Sequence, residues 1–96
     1  MSASRPKLHL YIAGDSLGAQ RALASHKPLV DALDGQIDIE IIDILARPEL
    51  AEAAGILATP TLSDDSTIPP RRLVGDISEL DQVLSFFGYG KKDNGS

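Results

Sequence analysis

Residues 56–62 read ILATPTL, a short apolar run with a proline set between two threonines. Proline has no backbone donor, so it belongs at the first residue of a strand, on a sheet edge or at a bend. A strand is therefore expected to open at Pro60. The polar segment DDSTIPP follows, and then a second apolar run, RRLVG. The consecutive prolines Pro69 and Pro70 fit only the start of that second strand or a sheet edge. The whole stretch predicts two strands joined by a polar loop.

The rest of the chain supplies the elements around this hairpin. KLHLYIA (Lys7–Ala13) is rich in β-formers, with Leu8, Leu10 and Ile12 on one face and a partly apolar second face, as in an interior strand. Gly14 and then Asp15 or Ser16 supply a turn and a helix start. From Leu17 to Leu33 the apolar spacing turns helical, with Ala19, Ala22, Leu23, His26, Val30 and Leu33 on one face. Pro28 interrupts that run and predicts a kink or an early stop near His26, and Asp34-Gly35 closes the element. QIDIEIIDIL (Gln36–Leu45) alternates as a strand and becomes apolar on both faces at Ile41-Ile42. RPELAEAAG (Arg47–Gly55) places Pro48 at a first helical position, acids in the first turn and Gly55 as the stop. GDISELDQVLSFFG (Gly75–Gly88) predicts a last helix, capped through Asp76 with Glu79 or Ser78 with Asp81, and striped by Leu80, Val83, Leu84 and Phe87. The order is strand, helix, strand, helix, strand, strand, helix: an α/β, thioredoxin-like βαβαββα fold. In that fold a proline, usually cis, opens the third strand, and Pro60 stands there. One domain is expected over residues 7–88, with disordered ends at 1–6 and 89–96.

Composition narrows the function. A net charge of −5 disfavours a nucleic-acid partner, since phosphate binding wants a basic surface. No apolar run reaches the length of a membrane span, and MSASRPK lacks the apolar core of a signal peptide, so no membrane association and a cytoplasmic location are expected. There is no cysteine, which removes disulfides, thiolate nucleophiles and thiolate metal sites. A thioredoxin-like oxidoreductase carries Cys-x-x-Cys after its first strand; here AGDSLGAQ stands in that place, and the Ser16 alcohol cannot substitute for a thiolate. No catalytic residue, cofactor or metal is expected. His9 and His26 read as partly buried, hydrogen-bonded histidines. Asp64-Asp65 reads as a solvated turn, and Asp38 and Glu40 as an exposed face, while Asp43, set among isoleucines, suits a hydrogen bond or a contact. Arg71-Arg72 is either edge-strand charge that discourages aggregation or a partner contact.

Several blocks together, LHLYIAG, RAL, IIDIL followed by RPELAE and ILATPTL, then RRLVGDIS and VL, resemble the KaiB family across residues 8–84. That resemblance implies a binding protein and not an enzyme: a partner of the KaiC ATPase ring that there sequesters KaiA and competes with a SasA-type histidine kinase. It implies partner contacts at Arg21, Arg71 and Arg72, and along the β-edge Ile37, Ile39 and Ile41. The family is also fold-switching: a tetramer with a different C-terminal half exchanges with a thioredoxin-like monomer, the form that binds KaiC. Pro60, Pro69, Pro70, Phe86 and Gly88 are the implied hinge positions, slow X–Pro isomerisation being the physical basis.

The chain also departs from the family pattern. The loop after ILATPTL is acidic, Asp64 reverses the sign of a common lysine, Pro70 replaces a valine, and Phe86 stands where glycine is frequent. An acidic loop suits burial in a tetramer poorly, and replacing glycine inside a helix gains about 1 kcal/mol. Both favour the thioredoxin-like monomer over the tetrameric alternative. Two other classes are a docking module for a histidine-kinase pathway unconnected to a clock, and a glutathione-dependent transferase, which would need a helical domain for which this chain has no room.

Overall fold

The computed structural model describes residues 7–33 and 36–89. Its elements run β1 (Lys7–Ile12), α1 (Leu17–Ala32), β2 (Asp38–Asp43), α2 (Pro48–Ala54), β3 (Thr61–Asp64), β4 (Arg71–Val74) and α3 (Leu80–Phe86), the order read from the sequence. The expected ends at 1–6 and 90–96, and the Asp34-Gly35 closure, lie outside the described residues.

One four-stranded sheet has the order β2-β1-β3-β4. β1 and β2 pair in parallel, with Leu8 opposite Ile39 and Leu10 opposite Ile41. β3 runs antiparallel to both β1 and β4, with Leu10 opposite Leu62 and Leu62 opposite Leu73. Opposed residues share a face. Leu8, Leu10, Ile12 and Leu62 therefore all point to the side covered by α1 and α3, where they pack with Ala19, Ala22, Leu29, Leu33, Ile77, Val83 and Phe87. Fully burying one such leucine is worth about 1.5–3 kcal/mol. The other face carries His9, Tyr11, Glu40, Ile42 and Arg72, with α2 lying along one side of it. Thr59-Pro60 is cis, as that position in the fold suggests, and Ile68-Pro69 is cis as well.

Several expectations are corrected. α1 neither stops nor breaks near His26; it continues through Pro28 to Ala32. Pro28 lies on the solvent side, so the carbonyl that its missing N–H leaves unbonded, four residues back at exposed Ala24, is open to water. The core face of α1 is Ala19, Ala22, Leu29 and Leu33, while Leu23 is exposed. Leu29 replaces Val30 because the stripe precesses along a helix of 3.6 residues per turn. Ser16 is the N-cap, accepting from the Ala19 N–H at 3.2 Å. β2 is shorter than the run Gln36–Leu45. α3 starts at Leu80, and neither predicted capping box forms. Asp76 instead accepts from the Ser78 N–H at 2.9 Å, making a turn ahead of the helix. Tyr89, expected to begin the tail, donates its N–H to the Leu84 carbonyl at 2.7 Å and packs against the core. No helix among the described residues is long and apolar enough to cross a membrane.

Candidate protein-docking surfaces

The residues singled out by sequence fall at three places. Along β2, an outer strand of the sheet, Ile37 is 5% exposed and belongs to the core, Ile39 is partly buried against it, and Ile41 is 40% exposed. Ile37 and Ile39 thus hold the strand down, and the surface it offers is its backbone edge, Ile41 and the acids between. Arg21 and Pro60 meet elsewhere, in a small groove of about 150 Å³ between α1 and the Gly75-Asp76-Ile77 segment. Gly18 is tight there: a Cβ on it would come within 3.3 Å of the Pro60 ring. The third place is β4, the opposite outer strand, with its preceding loop. Arg71 donates from Nη1 to the Phe86 carbonyl at 3.2 Å, tying that edge to the end of α3, where Phe86 packs edge-on to Phe87 and Gly88 takes a positive φ of 83°. Pro69 and Pro70 are exposed just before β4. Sequence reasoning had grouped Arg71 with Arg72; the structure separates their roles.

Arg72 belongs to a cluster that the sequence did not reveal. Asp65 Oδ1 accepts from Ser63 Oγ at 2.6 Å and from Arg72 Nη2 at 3.2 Å, while Arg72 Nε donates to Ser63 Oγ at 3.0 Å. Asp65 Oδ2 lies 2.9 Å from His9 Nδ1 and accepts from Tyr11 Oη at 3.1 Å. One carboxylate therefore ties the β3–β4 loop to β1, β3 and β4. Burial alone would push its pKa up, but the hydrogen bonds from Ser63, His9, Arg72 and Tyr11 outweigh it and hold the carboxyl below the usual range. The same site pushes the Tyr11 phenol up to about 12, through burial first and then the charge and hydrogen bond of Asp65. Asp64 is 7% exposed, its carboxylate accepting from Ser66. The expected solvated Asp64-Asp65 turn is thus a partly buried anchor. The usable signals were period-2 alternation, which puts His9 and Tyr11 on one face of β1, and the register that sets Ser63 opposite His9. Which loop acid reaches them depends on how the loop folds back.

Asp43 does what its odd position suggested. Its Oδ1 accepts from the Gly14 N–H at 2.8 Å and the Leu45 N–H at 3.0 Å, so the ends of β1 and β2 are clamped together. These two backbone donors hold its pKa low. Gly14 takes a positive φ of 58°, the left-handed conformation that glycine reaches without strain. Ser16, where a redox thiol would sit, spends its oxygen on the helix cap, and Ser63 is fully buried and donates to Asp65. A shallow cleft of about 660 Å³ lies beyond the cluster, floored by His9, Tyr11 and Ile42, with Glu40 at its lip towards β2.

Comparison with known proteins places this geometry. The KaiB domain family model matches residues 9–88. The circadian clock oscillator protein KaiB of Synechococcus elongatus is 41% identical over 78 residues, covering 80% of this chain and 76% of that protein. The circadian clock protein KaiB3 of Synechocystis is 39% identical over 85 residues, covering 88% and 83%. Among solved structures, the N-terminal domain of SasA from Synechococcus elongatus superposes with a TM-score of 0.68 at 18% identity, covering 98% of this chain and 94% of that one. Chloroplastic thioredoxin z gives 0.68 at 17% identity, covering 88% and 80%. At such identities these two structures speak for the fold alone.

Proposed function

The chain belongs to the KaiB family, and from that footing we propose that it is a non-enzymatic regulatory module that binds a KaiC-like ATPase ring in the cytoplasm. The contact surface in this reading is the first half of α1, with Arg21, together with the outer edge of β2 and Ile41; Arg71 contributes from β4. The observation that carries it is the outer edge of β2, with which no strand among the described residues pairs, in a thioredoxin-like scaffold without a thiol. Strand addition at such an edge gives main-chain affinity with little demand on side-chain identity. Arg72 is largely spent on Asp65 and is the weaker contact of the arginine pair. The Asp65 ties also favour the thioredoxin-like monomer, because they hold the β3–β4 loop in the register this fold requires. KaiA-like proteins and a SasA-type histidine kinase are further partners under the same reading.

A second reading, docking in a histidine-kinase pathway unconnected to a clock, draws support from the fold shared with the SasA domain. Binding to purified KaiC-like hexamer and to the kinase sensor domain, each with and without ATP, separates the two. ATP-dependent capture of the ring is the expected outcome. Absence of ring binding at tens of micromolar chain, with the kinase pathway retaining it, would transfer the assignment to the second reading.

A further inference from the structure

The cleft on the face away from α1 carries unlike charges on its two sides. Strand pairing sets Glu40 of β2 beside His9 of β1, His9 beside Ser63 of β3, and Ser63 beside Arg72 of β4, so these four residues form one row across the sheet. Neighbouring strands are about 4.8 Å apart, which puts the backbones of Glu40 and Arg72 roughly 14 Å from each other. Glu40 stands on the β2 side with 49% of its side chain open. Its contacts with Lys7 Nζ at 3.4 Å and His9 Nε2 at 3.6 Å both fall on Oε1, so Oε2 has no partner among the described residues. Arg72 stands on the β4 side. Ser63 accepts from its Nε and Asp65 from its Nη2, which holds the guanidinium in place while Nη1 bonds none of the described residues. Between the two charges lie the rings of His9 and Tyr11, their centroids 6.0 Å apart. Ile42, with Leu50 and Ala53 of α2, adds apolar surface to the same lining.

We propose that this cleft binds a short zwitterionic peptide of two or three residues with apolar side chains, its α-ammonium at Glu40 and its α-carboxylate at Arg72. The volume of about 660 Å³ falls among those of small-ligand sites. An extended chain advances about 3.3–3.6 Å per residue, so the charged ends of two or three residues lie roughly 6–10 Å apart. Glutamate and arginine side chains leaning inward reduce a backbone separation of about 14 Å to a gap of that order. A single amino acid holds its charges too close together to reach both. A simple anion would meet the Glu40 carboxylate and a simple cation the guanidinium, whereas a ligand charged at both ends sets each against its opposite. Arg72 is already fixed by Ser63 and Asp65 and so loses little side-chain freedom on binding. The site uses neither α1 nor the backbone edge of β2, and it goes beyond the ring-binding reading without resting on it.

The test is titration of the full chain with four probes: the dipeptide Leu-Phe, its N-acetylated form, its C-amidated form and free leucine. Amide and methyl NMR shifts are the readout. Leu-Phe is expected to move the signals of His9, Tyr11, Ile42 and Ala53 saturably, and each of the other three probes to bind about fivefold or more weaker. In Glu40→Gln, acetylation should cost no further affinity; in Arg72→Gln, amidation should cost none. Amide spectra verify the fold of both variants, and should Arg72→Gln fail to fold, the C-amidated peptide tests the same contact on the unaltered protein. Equal binding of free and blocked peptides overturns the proposal. So do shifts confined to α1 or the outer edge of β4, a Glu40→Gln variant that still rejects the acetylated peptide, or no saturable shift up to about 10 mM peptide.

Discussion

Asp65 is the residue on which the far face of the sheet depends. Its carboxylate collects His9, Tyr11, Ser63 and Arg72, side chains from three strands, at distances from 2.6 to 3.2 Å. Removing it leaves a guanidinium, a hydroxyl and a phenol without their common acceptor, and hydrogen bonds to charged groups are worth about 1.5–3 kcal/mol. Asp65→Ala is therefore expected to lower unfolding free energy by roughly 2–3 kcal/mol in denaturant titration. In a Tyr89→Phe background, phenolate absorbance should show the Tyr11 pKa falling from about 12 part of the way to its ordinary value, burial keeping the remainder. An unchanged Tyr11 titration would mean that the carboxylate does not reach the phenol in solution. None of this was legible from residues 64–65 alone, because an acidic dipeptide in a loop looks the same whether water or an arginine satisfies it. Asp43 was more legible: a carboxylate following Ile41-Ile42 at the end of an apolar strand had to find a donor, and the turn amides of Gly14 and Leu45 were the ones in reach.

At the level of elements, periodicity located every strand and helix, and the errors lie at their ends and faces. α1 shows why. Its propensity signal contains a proline, yet the helix passes through because Pro28 faces water and the cost is met by tertiary packing of Ala19, Ala22 and Leu29. The cost is still present, so Pro28→Ala should raise stability by about 1–3 kcal/mol, the gain tempered by the looser unfolded chain. A shift of the chemical denaturation midpoint measures it, and no gain would mean that α1 is already relaxed around the ring. α2 was readable almost to the residue, since Pro48 can only begin a helix and Gly55 closes it in a left-handed conformation. α3 was not: two capping boxes fitted the letters, but Asp76 turned to Ser78 and the helix began later. Along β2 the pattern gave the strand and its acids, whereas its position at the edge of the sheet came from the strand order.

Across the whole molecule, the carboxylates set the acid limit. Asp43, Glu49, Asp65 and Asp76 all titrate below their ordinary values. Backbone donors, with Arg47 for Glu49 and the Ser78 side chain for Asp76, are the cause at Asp43, Glu49 and Asp76, and at Asp65 the side-chain bonds override burial. A depressed folded pKa adds stability that is present above the unfolded value and lost as pH falls through the folded one. Unfolding free energy should therefore be flat near neutrality and decline below about pH 4, with a smaller decline in Asp65→Ala; circular dichroism across denaturant series at each pH reads this. A decline setting in near pH 6 instead would overturn the assignment of the limit to these carboxylates. By itself the sequence determined the order of elements, the thiol-less loop and the proline at the head of β3, because these follow from local sterics, periodicity and residue chemistry; the family followed from the resemblance of its motif blocks. Only the tertiary structure decided which strands lie at the edges of the sheet, that Arg71 is tied to the end of α3 and Arg72 to Asp65, and that Asp65 is a partly buried anchor. Each of those depends on groups brought together from distant parts of the chain, and no local pattern encodes the geometry with which a loop closes over a sheet.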